Sequence, residues 1–107
     1  MSEKSEKIRE LNDSFRTSFQ GGRVLITPGV SDRNDLASIL TRVQQFESFD
    51  EDNDPYGERD FGAFDHAGQK FFWKIDYYDA DLNHGSEDPT EPAVTTRVLT
   101  VMLAEEY

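Results

Sequence analysis

The chain has 107 residues, a net charge of −11 and no cysteine. That length suits a single domain over residues 1–107 with one modest core, and the lack of cysteine excludes disulfides, thiol catalysis and cysteine-based zinc sites. The charge excludes direct contact with nucleic acid or an anionic membrane, both of which it would repel.

No apolar run approaches the roughly 18 residues of a membrane span. The opening residues MSEKSEKIRE lack the apolar centre of a signal peptide, so a cytoplasmic location is expected. The apolar fraction is 36% and the mean hydropathy −0.73, both lean for a folded chain. Eight Phe, four Tyr and one Trp offset this, because each aromatic side chain can bury roughly 150–250 Å². A folded domain is therefore expected.

The charge is unevenly spread. Residues 1–42 carry seven Lys/Arg against six Asp/Glu, whereas residues 47–91 carry fourteen acids against Arg59, Lys70 and Lys74. Such a field attracts cations and basic proteins.

Taken in order, the first element is a helix over Glu3 to Phe19, with Ile8, Leu11, Phe15 and Phe19 as its apolar stripe. Ser2 caps its start and Gly21-Gly22 ends it. Arg23 to Thr27 reads as a short strand stopped by Pro28-Gly29. A second helix, capped by Ser31 or Asp32, runs to about Ser48 and buries Leu36, Ile39, Leu40, Val43 and Phe46.

An acid-rich loop, Glu47–Asp60, leads into the richest stretch, Phe61 to Asp81, which reads as a β-hairpin. Its second arm alternates, with Phe71, Trp73, Ile75 and Tyr77 facing one way and Phe72, Lys74, Asp76 and Tyr78 the other. Gly68 supplies the positive φ of a tight turn. A second polar loop, Asp79–Glu91, follows. The last segment, Pro92 to Glu106, supports two readings. Val94, Val98, Val101 and Met102 share one helical face, while its many β-branched residues favour a strand; the spacing places helix ahead. The expected fold is α+β in the order α-β-α-β-β-α, a small mainly antiparallel sheet of short strand plus aromatic hairpin, packed against about three helices.

Candidate chemistry lies in the acidic loops. The stretch from Asp52 puts Asp54 and Gly57 at calcium-loop positions 3 and 6 but Ala63 at 12, where a bidentate acid belongs. From Asp79, Asp81 and Asn83 fit, but His84 occupies the glycine position. Neither is an EF-hand. Asp76, Asp79, Asp81 and His84 remain an alternative metal or general-base set. There is no phosphate-binding loop, no G-x-G-x-x-G and no nucleophile elbow, and no cofactor is expected. Phe71, Trp73 and Ile75 read as core, whereas Phe72 and Tyr78 are candidates for contact with a partner or, through an exposed aromatic face, with a second copy.

The stretches IRELNDSFRTSF (Ile8–Phe19), GRVLITPGV (Gly22–Val30), FDEDNDPYGERDFGAF (Phe49–Phe64), FFWKIDYYDAD (Phe71–Asp81) and VTTRVLTVMLAEEY (Val94–Tyr107) resemble a bacterial family known as domain of unknown function 3768. The resemblance implies a stand-alone cytoplasmic domain often carried on plasmids and other mobile elements, and supplies no catalytic residues. Mobile-element residence would favour an anti-defence role.

Charge and resemblance together lead to one expectation. The protein is an acidic, non-enzymatic binder that occludes a basic nucleic-acid-binding surface in the manner of a DNA mimic, as an anti-CRISPR or antirestriction protein would. Asp50, Glu51, Asp52, Asp54, Glu58, Asp76, Tyr78, Asp79 and Asp81 are its expected contacts, and its partner is a basic, nucleic-acid-binding defence effector.

Overall fold

The computed structural model describes residues 2–107. Helix α1 (Glu3–Ser18) starts at Ser2, whose hydroxyl accepts the Ser5 N–H at 3.0 Å. It stops at Phe19, which adopts φ 59° and returns its N–H to the Phe15 carbonyl, so the helix ends before the two glycines. Its buried stripe is Ile8, Asn12, Phe15 and Arg16, two of them polar. Leu11 and Phe19 are only half-buried.

After β1 (Gly22–Ile26) the expected second helix is divided in two, α2 (Pro28–Ser31) and α3 (Leu36–Gln44). Pro28 does more than end the strand. It opens α2 from the first helical turn, where its missing N–H leaves no bond unmade. Neither Ser31 nor Asp32 caps α3. Asp35 holds that position without a side-chain cap bond, its carboxylate being gripped by Arg33 at 2.9 and 3.0 Å.

The aromatic hairpin forms as expected from β2 (Phe61–His66) and β3 (Gln69–Tyr78). Ala67 and Gly68 join them with φ of 52° and 78°, the two left-handed residues of a type I′ turn.

The C-terminal segment corrects the reading. Thr96–Leu103 is a strand, β4, not a helix. It lies inside the sheet, whose order is β1-β4-β3-β2, parallel to β1 and antiparallel to β3. An inner strand buries both faces, so apolar residues fall at neighbouring positions: Val98 and Leu99, then Val101 and Met102, are all buried. That doubling imitates helical spacing, and the β-branched content carried the truer signal. The sheet is therefore mixed, with two antiparallel pairings, in keeping with a mainly antiparallel sheet, and a parallel one between β1 and β4 that was not expected, and the three α-helices all precede the hairpin.

One sheet face is covered by helices. Phe71, Trp73 and Ile75 of β3 with Leu99 and Val101 of β4 meet Phe15, Val30, Ile39 and Val43 there, all in one core cluster. Gly62 of β2 lies against the Trp73 indole, where a Cβ would collide with the ring. The opposite face carries Val98 and Met102 of the inner strand, both buried, among Leu25, Phe72, Lys74, Asp76, Tyr78 and Thr100, none of which is fully buried. At its far end Phe61, Phe72 and Tyr107 form a mutual aromatic triangle, with centroids 5.2 to 6.3 Å apart.

Arg16 joins helix to helix and helix to sheet. Its side chain is 4% exposed, and one guanidinium nitrogen donates to the carbonyls of Val43, Gln44 and Phe46 at 3.0, 3.2 and 3.0 Å. Val43 and Gln44 close α3 and Phe46 follows it, a place where a cation also suits the helix dipole. The guanidinium stacks on Trp73 and Phe49 at 5.2 and 5.5 Å. Asp13 pairs with it at 3.3 Å and with Arg59 at 3.0 Å, and Arg59 in turn covers Phe49. Replacing Arg16 with Met keeps the volume but leaves the Gln44 and Phe46 carbonyls without this donor and Asp13 with Arg59 alone. We expect a loss of about 3 kcal/mol in urea unfolding, the scale of an orphaned buried polar cluster. A change within about 0.5 kcal/mol, the size of an ordinary surface substitution, would show that Arg16 does not hold the helices.

Candidate functional site

The topology gathers the acidic loops. Residues 47–60 lead into the start of β2, and residues 79–95 connect the end of β3 to the start of β4. Since β2 and β4 both run antiparallel to β3, all three junctions lie at one end of the sheet. Seven acids in residues 47–60 and five in 79–91 are thereby brought to that end.

Both loops are laced by their own polar groups. Asp50 Oδ1 accepts the N–H groups of Asp52 and Asn53 at 2.9 and 3.0 Å, and Asp54 Oδ1 accepts that of Arg59 at 2.9 Å. Asn53 Nδ2 donates to the Ser48 carbonyl. In the second loop Asp79 Oδ1 accepts the Asn83 N–H at 3.0 Å, and Asp88 Oδ1 accepts both the N–H and hydroxyl of Thr90. Such Asx turns offer the backbone internal partners, so the loops need no regular structure to be fixed. Glu51, Asp52, Asp81 and Glu87 are exposed.

A buried polar cluster ties this end to the core. Asn12 Nδ2 donates to the Glu58 carbonyl at 2.9 Å and to the Tyr77 hydroxyl at 2.8 Å, while its Oδ1 accepts from Arg97 Nε at 2.7 Å. Arg97 also donates to the Pro89 carbonyl and lies over the Tyr77 ring. One inner-strand cation therefore holds the second loop, and Asn12 holds the first. The Tyr77 hydroxyl approaches Glu58 Oε1 at 3.0 Å and Asp60 Oδ2 at 3.4 Å. It has a single proton, which the shorter contact takes. Burial, then the neighbouring Asp60 charge, pushes the Tyr77 phenol far above its ordinary range, so it stays neutral. Burial, followed by the Glu58 charge, raises Asp60 above the usual carboxylate range.

The expected contacts are thus divided. Glu51, Asp52 and Asp81 are free at the surface, while Asp50, Asp54 and Asp79 fix backbone and Glu58 anchors Tyr77. Asp76 and Tyr78 project on the other sheet face, where Asp76 pairs with Lys74 at 2.9 Å, while Tyr78, the last residue of β3, is bridged to Gly85 of the second loop. The alternative metal set is split in the same way. Asp79, Asp81 and His84 line one shallow hollow with Glu87, but Asp76 does not join them. Among the described residues no group of three His, Asp or Glu side chains is placed to hold a metal ion. Sequence reasoning missed Asn12, Arg97 and Tyr77 as a unit. The available signals were a polar residue inside the apolar stripe of α1 and a lone Arg inside the apolar run of β4.

These features define an α+β domain with a one-sided four-stranded sheet and an ordered acidic end. A family model described as "Protein of unknown function (DUF3768)" matches residues 26–106, and the chain belongs to that family. No curated protein and no solved structure matches it. No helix among the described residues is long and apolar enough to cross a membrane.

The Asp60 environment has a pH consequence. A carboxyl whose folded pKa lies above its unfolded one adds stability at low pH and loses that contribution as pH rises through the folded value. Asp60→Asn should therefore stabilise the protein at neutral pH, with the difference vanishing below pH of about 4, where both states of the native carboxyl are protonated. Chemical denaturation of both proteins across this range checks it; a destabilised variant at neutral pH would contradict the assignment.

Proposed function

We propose that the protein is an acidic binding module that acts by docking its carboxylate-rich end onto a basic surface of another protein. The observation that carries this reading is the convergence of two acidic loops, each tied by internal hydrogen bonds, on one end of the sheet. Duplex DNA presents one negative charge per roughly 1.7 Å of axis, so a surface that competes for a phosphate-binding groove needs dense negative charge in a fixed arrangement. Order matters because it lowers the entropy lost on docking, and the field speeds encounter with a cationic partner. The chemistry suits a nucleic-acid-binding defence effector, a CRISPR nuclease or restriction enzyme, whose groove the acidic end would occlude. Glu51, Asp52, Asp81 and Glu87 are the contacts, since they carry charge without holding the loops. Asp50, Asp54, Asp79 and Glu58 shape the surface.

The protein would be titrated into complexes of fluorescent duplex DNA with purified CRISPR nucleases and restriction enzymes. DNA release from at least one of them is expected, weakening by about tenfold or more between 50 and 200 mM salt, as screening of several charge pairs requires. The quadruple variant Glu51→Lys, Asp52→Lys, Asp81→Lys, Glu87→Lys should lose release while keeping its melting temperature. Equal release by that folded variant would contradict the proposal.

A further inference from the structure

β2 is an outer strand, and one hydrogen bond fixes which of its backbone groups face outward. The Ile75 N–H donates to the Asp60 carbonyl at 2.8 Å, one residue before the strand begins. Bonded and non-bonded pairs alternate in an antiparallel ladder. The bonded pairs are therefore Gly62 with Trp73, Phe64 with Phe71 and His66 with Gln69. The N–H and C=O groups of Phe61, Ala63 and Asp65 turn away from β3. A hollow of about 560 Å³ lies alongside, between Ala63 and Asp65 of the strand, Arg42 of α3, and Gln45, Glu47 and Ser48 beyond the end of that helix.

We propose that this edge takes an extended, basic segment of a partner protein as a fifth strand, an inference that rests on the basic-partner reading above. An outer strand beside a groove is the geometry of strand addition, in which backbone bonds give affinity and alternate side chains give selectivity. The charges select a basic occupant. Glu47 and Asp65 are exposed on the two sides of the edge; of the nearby cations, Arg42 is drawn over the Phe64 ring at 5.0 Å and towards His66, and Lys70 stands opposite Asp65 on β3, on the side away from the open edge. A second copy fits less well, because each copy brings a charge of −11 and an edge Asp is a common guard against self-pairing. The other outer strand, β1, presents Arg23 and Leu25 outward and offers no acid to a basic segment.

The test uses a heptapeptide of alternating lysine and valine, with an alternating glutamate–valine heptapeptide as control. Amide exchange at Ala63 and Asp65 is expected to slow by about tenfold or more with the lysine peptide, the protection expected of one or two added backbone bonds. The control peptide should leave it unchanged. Ala63→Pro removes one outward N–H where no β3 bond depends on it, and should weaken the lysine peptide by about tenfold. Asp65→Lys should weaken it too and admit the glutamate peptide, which keeps the test decisive if the proline variant fails to fold. Binding that slows only residues 50–54 and 79–87 would overturn the edge while sparing the acidic end. Protection at Ala63 that survives the quadruple lysine variant would support the edge and count against the acidic end. Slowing that grows with protein concentration alone would assign the edge to a second copy, and no binding of the lysine peptide would overturn the inference.

Discussion

The buried guanidinium of Arg16 is the constraint on which the rest of the structure depends. A cation inside a small core is unfavourable unless most of its donors are matched, and here the carbonyls of Val43, Gln44 and Phe46, Asp13 and two aromatic faces do the matching, with only the Nε–H left without a partner. The same contacts decide where α3 ends, where the chain turns toward the acidic loop, and how Phe46, Phe49 and Trp73 arrange themselves edge to face. The loop's path is thus set from the core outward.

Asn12 and Arg97 extend that logic to the acidic end. Asn12 lies one helical turn before Arg16 and faces the same interior, with its amide shared between the first loop and the Tyr77 hydroxyl. Arg97 faces it from the inner strand and reaches the second loop. Two polar residues in an apolar setting therefore hold in place the part of the molecule with the most charge and the least regular structure. Loops of like charge repel one another, and this cluster, with the Asx turns, offsets that repulsion.

The hairpin and the core face of β3 were legible because a half-buried strand must alternate, and Phe71, Trp73, Ile75 and Tyr77 do so without interruption. The distribution of charge was legible as well, being a property of composition. The identity of β4 was not, because a strand buried on both faces loses its alternation, and Val98, Leu99, Val101 and Met102 then mimic a helix. The division at Asp35 was hidden too, since it depends on Arg33 and on His66, 31 positions later in the chain. At the candidate site the sequence offered a pool of acids, but which carry free charge and which fix backbone follows from hydrogen bonds that no spacing rule encodes.

The central claim is that the acidic end is a built surface rather than loose, solubilising charge. Amide hydrogen exchange of the free protein at neutral pH tests it most directly, read at Asp52, Asn53, Asn83 and Thr90, whose N–H groups donate to loop carboxylates. Protection well above that of an unstructured peptide is the predicted result. Exchange at unstructured-peptide rates in both loops, with the core strands still protected, would contradict it.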